Sequence, residues 1–339
     1  MIGQVLELSI YRLFMNLSIL IPARNEMFLA RTIEDALQQS RTDTEIIAVL
    51  DGEWANPEIP QHPRVHVFHT GDTVGMRAAT NYAARLASGR YFMKVDAHCA
   101  FDEGFDRKML DFHARVGDDV TSVPIMRNLW AFSWKCGKCG YKQYQGPTPK
   151  ECPQCGRTHR WKRKMIWQGK SNPQSWSYCF DPDPHFQYFQ EYKTRPETQA
   201  MLEKHGYTET MSLQGSCFMC TREAYWRLKL SDESMGNWGN QGIEVAAKTW
   251  LSGGRVLVNH DTWYAHLFRT KGADFGFPYA LTGVQSTKKN VKNLFWKAGF
   301  EGQKYPLFWL VKKFWPVPGW TDADLDKIPK SVPTFSDFS

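Results

Sequence analysis

The sequence predicts an α/β fold, a mainly parallel sheet flanked by helices and interrupted by a cysteine-bearing insertion, on three observations. From Leu17 to Val95, apolar runs of strand length alternate with amphipathic helical stretches. One of those runs, Tyr91–Val95, stops abruptly at Asp96 and His98. A pattern-poor stretch then carries Cys136-x-x-Cys139 and Cys152-x-x-Cys155 before periodicity returns. A chain of 339 residues can bury a large core, and a 14% aromatic content with 14 Trp excludes disorder.

In chain order, Leu17–Ile21 reads as the first core strand, closed by Pro22, Ala23, Arg24, Asn25 and Glu26. Phe28, Leu29, Ile33, Ala36 and Leu37 share one helical face that ends near Ser40. Ile46–Leu50 is a second strand, tipped by Asp51, and Val65–Phe68 a short third. Ala79, Tyr82, Ala83 and Leu86 mark a second helix, with Gly89 as its expected left-handed cap. Such alternation implies right-handed crossovers. Neither a Gly-x-Gly-x-x-Gly nor a full Gly-x-x-x-x-Gly-Lys-Ser/Thr phosphate loop occurs, so dinucleotide and kinase-like readings lose support.

Asp96 and His98 emerge where ligands bind in open α/β sheets, beyond the carboxyl end of a strand. One carboxylate and one imidazole suit a divalent ion with positions left for substrate oxygens. Further on, Met211–Met219 reads as a strand containing Gly215, Arg222–Leu230 and Gly242–Trp250 as helices, and Arg255–Asn259 as a strand with His266 just beyond it. Residues 271–339, broken by Pro306, Pro316 and Pro318, read as a packed or folding-over arm.

The four cysteines form two knuckles of metal spacing, which predicts a structural zinc held by Cys136, Cys139, Cys152 and Cys155. Cys217 and Cys220 share the spacing but fall in a predicted strand and helix start, so buried thiols are expected there. Reduced cysteines point to a cytoplasm, as does a first stretch, Met1–Met15, without signal-peptide character. No apolar run reaches the ~20 residues of a membrane span. Residues 134–170 carry ten Lys or Arg against one acid, leaving 32 basic and 34 acidic residues elsewhere. Lys162, Arg163 and Lys164 between Trp161 and Trp167 suit a nucleic-acid strand, with cations on phosphate and rings on bases.

The run Pro22-Ala-Arg-Asn-Glu26, the strand ending at Asp51 and the Asp96-Ala-His98-Cys99 segment together resemble GT-A nucleotide-sugar glycosyltransferases of the family-two kind. The likeness is greatest to polypeptide N-acetylgalactosaminyltransferases, with Gly215-Ser-Cys-Phe-Met, Met235-Gly-Asn-Trp238-Gly239 and Ala265-His266-Leu-Phe-Arg269 matching in order and spacing. The resemblance implies a UDP-sugar donor and a Mn2+ (or Mg2+) ion held by Asp96, His98 and His266. It places Pro22, Ala23, Arg24, Glu26, Asp51, Gly215 and Arg269 at the donor, with Asp51 on the uridine and Arg269 near the pyrophosphate. It divides the chain into a nucleotide-sugar half (1–120), an insertion (121–192, ribbon 136–155), an acceptor half (193–270) and an arm (271–339).

The sequence also departs from that pattern. Gln241 replaces the first acid after Trp238, which leaves Glu244 as the nearest carboxylate for a catalytic role. Thr80 stands where the family has an arginine, and Arg77 is expected to substitute from one turn earlier. Two acceptors compete, and the first is the expected one: hydroxymethylated pyrimidines of DNA, as in phage-type enzymes and favoured by the basic ribbon, ahead of Ser/Thr hydroxyls of protein. A non-catalytic zinc-ribbon nucleic-acid binder is the remaining alternative.

Overall fold

The computed structural model describes residues 16–173, 175–269 and 276–332, so the expectation for Met1–Met15 lies outside the described residues. Its first half follows the predicted alternation: β1 (Leu17–Ala23), α1 (Leu29–Gln39), β2 (Thr44–Leu50), β3 (Val65–His69), α2 (Met76–Leu86) and β4 (Tyr91–Val95). β1 pairs in parallel with both β2 and β4, and β2 with β3. Every residue of β1, β2 and β4 is buried, as expected for strands covered on both faces by crossover helices.

Gly89 is a correction. Helix α2 ends at Leu86 and is capped by Ala87 in an extended conformation (φ −65°, ψ 143°), so no left-handed cap forms. The glycine serves close approach instead: a Cβ there would meet Ser18 Oγ at 2.6 Å, the same hydroxyl that accepts from Gly89 N at 2.8 Å.

After β5 (Cys99–Phe101) and α3 (Phe105–Val116) comes β6 (Val120–Cys136), a strand of 17 residues. The pattern that breaks at Thr121 in the sequence therefore does not mark the strand's edge. The first half of β6 lies inside the sheet, and its polar residues are buried against internal partners. Thr121 Oγ1 is 2.7 Å from Thr249 Oγ1, and Ser122 Oγ is 2.8 Å from His113 Nε2. The second half runs on past the main path of the sheet and pairs with β7 (Lys142–Tyr144) and β8 (Trp161–Lys170), forming the body of the cysteine ribbon.

Beyond a small hairpin of β9 (Tyr178–Phe180) and β10 (Phe186–Tyr188), the chain runs through α4 (Pro196–His205), β11 (Tyr207–Glu209), β12 (Cys217–Thr221), α5 (Arg222–Arg227), α6 (Gln241–Leu251) and β13 (Arg255–His266). The strand expected from Met211 starts only at Cys217, and Gly215 sits in the turn before it. The main sheet has the order β11-β13-β6-β12-β4-β1-β2-β3, mixed because β12 runs antiparallel to both β4 and β6. Cys217 and Cys220 are buried in β12, as expected. The arm contributes α7 (Leu281–Asn293) and α8 (Leu307–Lys313), with Pro306 capping α8. Leu307, Leu310, Val311 and Phe314 are fully buried, and the Phe314 ring meets Trp250 of α6 at 5.5 Å, so this part of the arm is packed.

Candidate active site

Asp96 is the residue after β4, and its amide donates to Ser216 O at 2.8 Å just before β12. His266 is the last residue of β13, and the backbone carries it to the same point. β13 pairs antiparallel with β5 so that His266 faces Cys99, and Leu267 N donates to His98 O at 3.1 Å. Residues 170 positions apart thus meet: His266 Nε2 lies 3.3 Å, and His98 Nε2 4.0 Å, from Asp96 Oδ2. The two imidazole centroids are 4.8 Å apart.

This donor set fits a divalent ion. One carboxylate oxygen and two imidazole nitrogens lie within 4.8 Å of one another. Burial pushes both imidazoles down to about 4, so they are neutral and able to ligate at neutral pH. His98 Nδ1 sits 3.2 Å from Glu26 Oε1, a carboxylate partner that orients the ring and leaves Nε2 toward Asp96. Burial works to raise the Asp96 carboxyl, but the Lys94 ammonium and the two imidazoles outweigh it and hold it well below the usual range. Lys94 binds the other oxygen, Oδ1.

Two cavities meet here. The first, about 200 Å3, is lined by Pro22, Arg24, Glu26, Asp96, His98, Trp238, His266 and Arg269, and roofed by Phe277, Pro278 and Tyr279 of the arm. Arg269 is paired with Glu26 in its wall. The second, about 310 Å3, shares Met76, Asp96, Trp238 and His266 with the first and continues past Lys94, Gly215, Asn240 and Gln241. Ala23 is buried in β1, while Arg24 donates to Asp51 O at 2.8 Å and to Pro278 O at 3.1 Å. The arm is thereby tied to the loop after β1.

Three expected site residues are engaged elsewhere. The Asp51 carboxylate is fully buried and accepts from Val74 N at 2.6 Å, Gly75 N at 3.0 Å and the Tyr279 hydroxyl, so it anchors the start of α2 and the arm. Glu244 is 0% and Arg77 1% exposed. Arg77 reaches Glu244 Oε2 with Nε at 3.0 Å and Nη2 at 2.8 Å, while Lys248 Nζ donates to Oε1 at 3.0 Å. Neither lines either of these two cavities. The expected catalytic carboxylate and donor-site arginine form a structural ion pair instead, because both charges point into the protein from facing helices α2 and α6. Gln241 does line the second cavity; its Nε2 donates to Ser231 Oγ at 3.0 Å, and its Oε1 is buried with no partner among the described residues.

Sequence reasoning missed Lys94 and Tyr279. Lys94 carried a usable signal, a lone charge inside an otherwise apolar strand; Tyr279 carried none.

In the ribbon, Cys136 Sγ is 3.7 Å from Cys155 Sγ and Cys139 Sγ 3.6 Å from Cys152 Sγ. Such separations are far beyond a disulfide and match the roughly 3.8 Å edge of a tetrahedron of thiolates around zinc. The aromatics expected to stack on bases are occupied within the protein. The Arg163 guanidinium lies 5.5 Å from the Trp134 ring centroid and Lys170 Nζ 4.0 Å from that of Trp130. Trp161 and Trp167 pack on the cluster that also holds Phe28, Phe132 and Leu267.

Residues 18–136 match the family described as Glycosyl transferase family 2. A Drosophila melanogaster protein named putative polypeptide N-acetylgalactosaminyltransferase 13 is 25% identical over 281 residues, covering 78% of this chain and 43% of that protein. A Caenorhabditis elegans protein named probable N-acetylgalactosaminyltransferase 9 is 20% identical over 278 residues, 77% of this chain and 40% of its own length. The chain thus spans about two fifths of these relatives. A crystal structure of GalNAc-T7 with UDP, GalNAc and Mn2+ shares the fold, with a TM-score of 0.61 at 19% identity over 84% of this chain and 49% of that one. Nothing in these comparisons supports a hydroxymethylated-DNA acceptor.

Proposed function

Because the chain carries a family-two glycosyltransferase domain on a GT-A fold, we propose that it transfers a sugar from a UDP-sugar to a Ser or Thr hydroxyl of a polypeptide. The observation that carries this reading is the convergence of Asp96 Oδ2 and two neutral imidazoles at the mouth between two cavities. Asp96, His98 and His266 would hold a divalent ion, Mn2+ by likeness to the GalNAc-T7 complex. When bound, such an ion supplies positive charge to the departing diphosphate.

The protein's own residues do the rest. Arg24 and Arg269 bring guanidinium charge to the first cavity, where the diphosphate gathers negative charge as the anomeric bond breaks. Phe277 and Tyr279, tilted against Trp238 with ring centroids 5.8 and 6.2 Å away, close the roof and keep water from the reacting centre. Among the described residues lining the second cavity, Asp96 is the one carboxylate, and it is already engaged. With Glu244 removed from consideration, a side-chain base for the acceptor is missing from that wall. This favours a same-face displacement with retention. The bond from the anomeric carbon to the diphosphate breaks, the acceptor oxygen bonds on that face, and its proton passes to the departing phosphate oxygen. The four ribbon cysteines, by spacing and Sγ geometry, would hold a structural Zn2+.

The polypeptide acceptor rests on the names of the similar proteins. The test offers the full chain Mn2+, a panel of UDP-sugars, and either a Ser/Thr peptide or hydroxymethylated DNA, read by mass. A hexose or hexosamine increment on the peptide is expected. An increment on the DNA alone would overturn the acceptor, and no UDP release from any donor would overturn the enzyme.

A further inference from the structure

The body of the ribbon is a three-stranded sheet, β7-β6-β8, in which the central strand pairs with both neighbours at the same residues. Lys135 of β6 stands directly opposite Lys142 of β7 on one side and Lys162 of β8 on the other. Adjacent strands lie ~4.8 Å apart and directly opposite residues share a face, so three lysines stand abreast across about 10 Å. Two residues along, Ser133 lies between Tyr144 and Lys164, which adds a fourth. All four lysines are exposed, and none has an acidic partner among the described residues. Residues 134–170 contain a single acid, Glu151. Like charges directly opposite in a sheet destabilise it, so this row is balanced only by counter-charge from outside the ribbon.

The row ends at an open edge. Among the described residues β8 pairs with β6 alone, and over Trp161–Met165 its outer N–H and C=O groups have no backbone partner. A nucleic-acid strand uses the cations but not the strand edge, and the ribbon's Trp134 and Trp161 rings are engaged with the cluster around Phe28. An extended polypeptide uses both features. We propose that the outer edge of β8, over Trp161–Met165, binds an extended acidic polypeptide segment as an added strand, with carboxylates opposite Lys162 and Lys164. The same lysines repel a second copy of this edge, so the surface selects an acidic strand over itself. Strand β8 runs from here to Lys170, opposite Asn128, which stands beside His266. The eight residues from Lys162 to Lys170 span at most roughly 26 Å, so the segment belongs to the acceptor and tethers it near the reaction centre. That last assignment rests on the polypeptide reading of the preceding section and deepens it.

The test titrates the full chain into a fluorescent peptide of about twelve residues alternating Glu and Thr, read by anisotropy at low salt. Three probes run beside it: the same peptide with Gln for Glu, the Glu-Thr peptide N-methylated throughout, and a single-stranded oligodeoxythymidine of equal charge. The Glu-Thr peptide is expected to bind, and the Gln and N-methylated peptides are not. The double variant Lys162→Glu, Lys164→Glu should weaken binding about tenfold with thermal unfolding unchanged. Lys162→Gln with Lys164→Gln carries the test if charge reversal disturbs the ribbon. Equal binding of the N-methylated peptide overturns strand addition, and tighter binding of the oligonucleotide overturns the partner. Affinity within twofold of wild type in a folded double variant overturns the site. Protein that binds the peptide but transfers sugar to no polypeptide refutes the acceptor reading itself, a separate result.

Discussion

Replacing Glu244 by Gln separates a structural ion pair from a catalytic base. Glu244 Oε2 takes two bonds from Arg77, at 3.0 and 2.8 Å, and Oε1 takes Lys248 Nζ at 3.0 Å and Asp232 N at 3.2 Å. An amide keeps one accepting oxygen, so its NH2 must face Arg77 or Lys248, and a buried cation loses its counter-charge. Breaking a buried pair by removing one partner costs about 3–5 kcal/mol. For a chain of this size that is a fall in Tm of about 6–10 °C, at ~2 °C per kcal/mol. Thermal and urea unfolding of Glu244→Gln, run beside sugar transfer at a temperature where both proteins are folded, measures it. A loss below about 1 kcal/mol together with a hundredfold fall in kcat would refute the structural assignment.

Asp96→Asn removes the carboxylate charge at the candidate metal centre while keeping its shape. Mn2+ binding, followed by electron paramagnetic resonance, is expected to vanish and transfer to fall about a hundredfold or more; retained Mn2+ binding sinks the ligand assignment. Metal-free protein should lose stability on acidification. Burial holds His98, His113 and His266 at about 4, below the unfolded value near 6.5, so the unfolded chain takes up more protons as pH falls from about 6.5 to 4. Each contributes about 3 kcal/mol across that window, and Asp35, raised to about 6 by burial, works in the opposite sense and offsets roughly one of them. Urea midpoints that stay flat from pH 7 to 4.5 contradict this account. Cys152→Ser should release about one zinc per chain to a colorimetric chelator and lower Tm, whereas Cys220→Ser should leave zinc content unchanged.

The parallel half of the fold was legible because its strands are buried on both faces and so read as unbroken apolar runs, as in β1 and β2. Strand β6 was not, because a buried strand may carry hydroxyls that bond inward, and hydropathy cannot tell Thr121 or Ser122 from surface residues. The candidate ligand cluster was readable in part at Asp96 and His98, but the arrival of His266 depends on β13 pairing with β5, a long-range register that no local pattern encodes. Glu244 lies away from the two cavities for a related reason: proximity in sequence to Trp238 says nothing about which way a helical side chain points, and Arg77 engages it from 167 residues away. Lys94 shows the opposite lesson, since a charge in a buried strand always needs a partner and so points to one.

Strand β6 also couples two regions that the sequence presents as separate. Its Asn128 stands beside His266 in the sheet, and eight residues on the same strand ends in the first ribbon cysteine, Cys136. Fraying that begins with zinc loss can travel along this rod, and through the packing of Trp161 and Trp167 beside Leu267, so chelation of the ribbon should register at the imidazole as slower or misplaced chemistry. The thiolate cluster would then act as a distant tensioner of the reaction centre, sensitive to oxidants that never touch the sugar.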